Sequence, residues 1–143
     1  MTSLLLDLNV VLDVLFDRRP HVTASAAVWA AVEKGTAQGF LAGHSVTTLH
    51  YLTRKELGGA EATRMVSAVL RVFHVAAVDE SVVHGALSLP FADFEDAVTA
   101  AAARAAGCHA LVTRDPKGFR HSPVRVLTTE GAAHWLSGRA GRA

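Results

Sequence analysis

Three consecutive leucines near the start of the chain, Leu4-Leu5-Leu6, run directly into a carboxylate, Asp7. Side chains alternate between the two faces of a strand, so an uninterrupted apolar run is hidden only in a sheet covered on both sides. That points to a parallel sheet carrying helices on each face. An acid just past the carboxyl end of such a strand stands where open α/β sheets place their ligands. Asn9 and Asp13 follow, and Asn9 is placed to cap a helix beginning at Val10. Asp7 alone is equally well a turn residue, so its meaning depends on the rest of the chain.

The 143 residues suit about one domain with a real core. Half are hydrophobic and the mean hydropathy is +0.27, which excludes a disordered chain. No apolar run reaches the roughly 20 residues a membrane helix needs. Met1-Thr2-Ser3 offers no basic region ahead of the leucines, so no signal peptide is expected. The single Cys108 cannot form an internal disulfide, in keeping with a reducing, cytoplasmic location, and it reads as a small core filler. A net charge of +1 is too balanced to bind nucleic acid by bulk electrostatics, so an anionic substrate needs a local patch.

Strand and helix signals alternate along the chain. Helices are expected at Val10–Phe16 and, after Pro20, at His21–Lys34, closed by Gly35. Gln38–Ala42 reads as a strand, and Ser45 as the N-cap of a helix over Val46–Leu57. Gly58-Gly59 separates it from a helix over Glu61–Phe73, whose apolar residues share one face. A strand at Val75–Val78 precedes Asp79, the cap of a helix at Glu80–Leu87. Past Pro90, Asp93-Phe94-Glu95-Asp96 opens an alanine-rich helix that runs to Ala106 and is closed by Gly107. His109–Thr113 is a fourth strand, followed by Arg114-Asp115-Pro116. Val124–Leu127 is a fifth, with Thr128 capping a last helix to about Leu136. A domain over 1–136 and a short basic tail over 137–143, with Arg139 and Arg142, are therefore expected.

Strand ends of a parallel sheet share one edge, so Asp7 and Asp115 converge there, and Asp96 joins them from the first turn of a helix. Each acid has a plain structural alternative. Asp93 suits an N-cap with Asp96 its first-turn partner, and Asp115 suits a turn before proline. Together, three acids on one edge raise each other's pKa unless something neutralises them. A divalent cation is the economical answer, and oxygen ligands favour Mg²⁺ or Mn²⁺ over zinc.

The stretches Asp7-Leu8-Asn9-Val10-Val11-Leu12-Asp13, Asp93-Phe94-Glu95-Asp96-Ala97 and Leu111-Val112-Thr113-Arg114-Asp115-Pro116-Lys117-Gly118-Phe119 resemble the successive motifs of PIN-domain proteins. The resemblance runs from about Leu4 to Leu136. It implies a three-layer α/β/α domain around a central, mostly parallel five-stranded sheet. It also implies a Mg²⁺- or Mn²⁺-dependent endoribonuclease of the VapC-like kind, the toxin of a type II toxin–antitoxin pair, with an antitoxin partner and a homodimeric state. By motif, the catalytic and metal-binding acids are Asp7, Asp96 and Asp115, supported by Asn9, Asp93 and Glu95. Family members usually carry a further Glu on the helix after the second strand. The matching place in Thr47-Thr48-Leu49-His50 is His50, either a ligand or a surface histidine, and the chain resembles a subgroup lacking that Glu.

Arg114, Lys117, Arg120 and His121, clustered after the fourth strand, are candidates to position an RNA backbone, with Arg18 and Arg19 a weaker pair. They are equally well a solvated charged loop. The alternative to a nuclease is a non-catalytic PIN-like RNA-binding or regulatory module with an incomplete acidic site. A receiver-type phosphoacceptor wants an acidic pair after its first strand, and a haloacid dehalogenase-type phosphatase wants Asp-x-Asp. Leu8 and Asn9 argue against both. A purely structural role for helices 21–34 and 46–73, binding another chain, is the remaining class.

Overall fold

The structure is a computed structural model and describes residues 1–140. Its elements run β1 (Ser3–Leu6), α1 (Leu8–Leu15), α2 (Val22–Glu33), β2 (Gln38–Ala42), α3 (Gly43–Leu57), α4 (Gly59–Val72) and β3 (His74–Ala76). Then follow α5 (Glu80–Leu87), α6 (Phe94–Ala105), β4 (Ala110–Val112), a 3-10 turn (Pro116–Phe119), β5 (Arg125–Leu127) and α7 (Thr129–Ala140). The five strands form one sheet in the order β3-β2-β1-β4-β5, every pair parallel. This is the α/β architecture expected from the alternation of strands and helices.

β1 is central and wholly buried, as the leucine run requires. Leu4 and Leu6 face a core built with Val11, Leu12, Val28, Leu41, Leu49, Val69 and Phe73, from α1 to α4. Leu5 faces the opposite core, built with Val82, Leu111, Phe119 and the alanines of α5 and α6. Each buried leucine contributes about 2 kcal/mol of transfer free energy. The small side chains of α6 let that helix lie against the sheet, with Ala97 and Ala100–Ala103 all buried. On the other face, a Cβ at Gly39 would stand 2.6 Å from the Phe73 ring and 2.7 Å from Val32, so β2 needs glycine there. Cys108 is buried, and burial pushes its thiol up to about 11, which makes it an inert core residue.

Several local expectations are corrected. α1 starts at Leu8, with Asp7 rather than Asn9 at the N-cap position, because the chain turns into the helix directly at the strand end. α3 starts at Gly43 under Ala42, and Ser45 lies buried one turn inside it. Packing of that first turn against α6, where His44 meets Glu95 and Thr99, starts the helix before the preferred capping residue. The last helix continues past Leu136 to Ala140, so Ser137–Ala140 is helical. Arg142 and the rest of 141–143 lie outside the described residues. Asp79, Asp93 and Thr128 cap their helices as read from the sequence.

Candidate active site

The strand order reverses at β1, with β2 and β3 on one side and β4 and β5 on the other. Ligands of open α/β sheets bind beyond the carboxyl ends of the strands at such a switch point. β1 and β4 run in register there, Leu6 beside Val112, so Asp7 and Thr113 leave the sheet as neighbours. The Asp7 backbone N–H donates to the Val112 carbonyl at 2.8 Å. The Thr113 hydroxyl donates to Asp7 Oδ2 at 2.9 Å and accepts the Asp115 backbone N–H at 3.0 Å. One buried hydroxyl thus fixes both acids that follow the strands. Its signal in the sequence is a hydroxyl residue at the last buried position of a strand, two before an acid.

Asp96 arrives from the first turn of α6, its backbone N–H capped by Asp93 at 3.1 Å. The 3-10 turn folds back over the acids. A Cβ on Gly118 would lie 2.8 Å from Asp115 Oδ2 and 3.6 Å from Asp96 Oδ2, so both carboxylates border the space that glycine leaves open. The structure therefore brings Asp7, Asp96 and Asp115 to one edge.

The charges at this edge strain one another. Asp96 is pushed up to about 7, first by burial and then by repulsion from Asp93, Asp7, Asp115 and Glu95. Burial also raises Asp7, eased by the Thr113 hydroxyl, the Leu8 backbone and Arg114, and worsened by Asp115. Arg114 is itself engaged elsewhere. Its Nε lies 2.8 Å from Oδ2 of Asp13, out of line for a hydrogen bond, and Asp13 is 0 % exposed. Ser25 on α2 donates to the same oxygen at 3.1 Å. Arg114 is thus the partner of a buried carboxylate, with its side chain still 25 % exposed.

The other named residues are placed as follows. Asn9 sits in the first turn of α1 and accepts from Arg18 Nη1 at 3.2 Å, which also brings Arg18 to the site's border. Arg19 pairs with Asp17 in solvent. Glu95 is exposed, and its carbonyl is 3.2 Å from His44 Nε2. Lys117, Arg120 and His121 are exposed in the loop that carries Gly118. His50 does not join the acids: its Nε2 lies 3.2 Å from the Thr63 hydroxyl on α4. The α3 residue that does reach α6 is His44, which the sequence reading passed over because no acid or histidine partner stands near it in the chain. Its Nε2–H points at a carbonyl oxygen, and its Nδ1 is buried without a partner.

The PIN domain family model matches residues 3–117. No curated protein sequence matches the chain. Among solved structures, the chain is similar to the VapBC2 complex from Rickettsia felis bound to a DNA fragment from its promoter. The TM-score is 0.70 at 14% identity, covering 89% of this chain and 98% of that one. It is similar to FitAcB from Neisseria gonorrhoeae, with a TM-score of 0.69 at 21% identity, covering 88% and 97%. It is also similar to the sarcin-ricin loop cleaving toxin VapC20 of Mycobacterium tuberculosis, with a TM-score of 0.60 at 15% identity, covering 76% and 87%. At these identities the structural likeness speaks for the fold. The family match over most of the length, together with acids at the sheet's switch point, makes the chain a member of the PIN domain family.

Proposed function

We propose that the protein is a divalent-cation-dependent endoribonuclease acting as the toxin of a toxin–antitoxin pair. The carrying observation is the set of Asp7, Asp96 and Asp115 at one sheet edge, with Asp96 pushed up to about 7 by burial and its acidic neighbours. Arg114, which eases Asp7, is already paired with Asp13. The three acids fit Mg²⁺ or Mn²⁺ by donor type, being hard oxygens only, and by charge. As placed, no three such side chains among the described residues stand close enough to enclose an ion. A cation held there supplies Lewis-acid charge and a water acidified for attack on phosphorus.

The chain's own residues then do the rest. Thr113 holds Asp7 and the Asp115 backbone in fixed relation, and Asp93 holds the first turn of α6. Asp96 would hold a cation only in its ionised form, so binding there would strengthen as pH rises through about 7. Lys117, Arg120 and His121 flank the acids and position the RNA backbone.

An antitoxin as partner is supported by a solved structure of similar fold that is a toxin–antitoxin complex from Klebsiella pneumoniae. A cleft of about 370 Å³ between the ends of α1 and α3, lined by Phe16, Arg18, Leu52, Lys55 and Glu56, offers such a chain an apolar floor with charged walls. We also propose a homodimer and a cytoplasmic location; no helix among the described residues is long and apolar enough to cross a membrane. The rival reading, a non-catalytic RNA-binding module, is favoured by one observation. α3 carries no acid before Glu56 and meets α6 through His44.

The test is cleavage of a mixed RNA pool by wild type and Asp96→Asn, purified identically, with Mg²⁺, Mn²⁺ or EDTA. Cleavage by wild type that needs the metal and is lost in the variant supports the nuclease. Silence of wild type with both metals supports the binding module.

A further inference from the structure

The edge of the sheet opposite the acids has its own chemistry. β1, β4 and β5 begin side by side there, Leu4 beside Ala110 and Ala110 beside Arg125. α7 starts just after the carboxyl end of β5 and packs back along the sheet, which returns Trp135 and Arg139 to this edge. Thr2, His109, Ala110, Arg125, Trp135 and Arg139 line a cleft of about 570 Å³. That volume lies within the roughly 300–1,000 Å³ typical of small-molecule sites.

The polar groups in this cleft are donors. The Arg139 guanidinium lies 4.3 Å from the centroid of the Trp135 ring and that of Arg125 lies 5.9 Å away, so one indole holds two cations. The Ser3 backbone N–H donates to His109 Nδ1 at 3.0 Å. Nδ1 is thereby an acceptor, which leaves the ring hydrogen on Nε2. Neither arginine is in an ion pair among the described residues. Among the described residues no acid lines the cleft; Glu33, at the end of α2, is bound by Trp29 Nε1. Two guanidinium groups near one ring, without an acid partner among the described residues, favour an anion that gains charge-assisted hydrogen bonds from them.

We propose that this cleft is a binding site for the phosphate group of a nucleotide-sized ligand, recognised by Arg125 and Arg139 with His109 Nε2–H as a third donor. The proposal is independent of the reaction at the opposite edge. Because both guanidinium groups are already held on the indole, little side-chain entropy is lost on binding. Base recognition is not part of the site, since the ring that would stack a base already carries the arginines.

The experiment follows the two indole N–H signals by NMR in EDTA, so that the acidic edge carries no metal, with Trp135→Phe identifying the Trp135 signal. AMP, adenosine, inorganic phosphate and a 2′-O-methyl oligonucleotide without terminal phosphate are titrated separately. We expect AMP to shift the Trp135 signal saturably and adenosine not to. Arg139→Gln, at the exposed end of α7, weakens AMP binding at least tenfold, and Arg125→Gln/Arg139→Gln abolishes it, whereas Asp96→Asn binds as wild type does. Inorganic phosphate matching AMP makes free phosphate the source, and the oligonucleotide matching it makes the source a nucleic-acid backbone; both support the site. Adenosine binding as tightly as AMP overturns the proposal. So does an AMP affinity that is unchanged in Arg139→Gln, or the absence of any shift in wild type.

Discussion

Two acids six positions apart in one stretch, Asp7 and Asp13, meet opposite fates. Asp13 is 0 % exposed, with Arg114 2.8 Å away and Ser25 donating at 3.1 Å. Arg114 is itself 25 % exposed at the side chain, so this pair joins α1, α2 and the loop after β4 from beneath the site. Asp7 has a hydroxyl but shares its surroundings with Asp115 and Asp96. A carboxylate given its own cation inside the protein does structural work. Carboxylates gathered without one are held in a state that an external cation improves. Burial alone does not separate the two, since the more buried acid is the structural one.

The comparison predicts different losses. Asp13→Ala leaves Arg114 without its partner in a largely covered position, and urea denaturation should show a loss of about 3 kcal/mol. Unchanged stability would break the contrast. Asp7→Asn should lower RNA cleavage by about a hundredfold or more, beyond the loss seen for residues that merely support metal ligands, while the variant stays folded.

Asp96→Asn sharpens the point through pH. The Asp96 carboxyl rises from 3.8 to about 7 on folding, so between those values the native state holds a proton that the unfolded chain has released. Stability therefore falls as pH rises through that window, and above about 7 the native site carries a charge it resists. In metal-free protein Asp96→Asn should be more heat-stable than wild type at pH 8 and equal to it at pH 4, by calorimetry. Added Mg²⁺ should then stabilise wild type and not the variant.

A Cβ in Gly118→Ala would meet Asp115 Oδ2 at 2.8 Å. Displacing that carboxylate by a few tenths of an ångström should weaken Mn²⁺ binding about tenfold, read by calorimetric titration. His50→Ala should change least. It loses one exposed hydrogen bond to Thr63, worth under about 1 kcal/mol, and should cleave RNA as wild type does.

Much of this was legible in the sequence, for identifiable reasons. A leucine triplet ending in an acid fixes a central strand and its edge, because no other arrangement hides all three side chains. Asp96 and Asp115 followed from the rule that helix starts and strand ends share that edge. The pairing of Asp13 with Arg114 was not legible. It joins residues about a hundred positions apart, and in the sequence Arg114 reads as one more cation in a basic loop. His44 escaped for a similar reason: its meeting with Glu95 and Thr99 depends on how α3 leans on α6, which no local pattern encodes. The capping preference of Ser45 misled, because tertiary packing began the helix two residues before it.

The most direct test of the central claim, that three acids at the switch point are poised for a divalent cation, is a calorimetric titration of Mn²⁺ into the metal-free protein at pH 8 and pH 6. The account predicts saturable binding at pH 8 that is weaker at pH 6 and is lost in Asp96→Asn. Binding of equal strength in the variant, or none in wild type at pH 8, would contradict it.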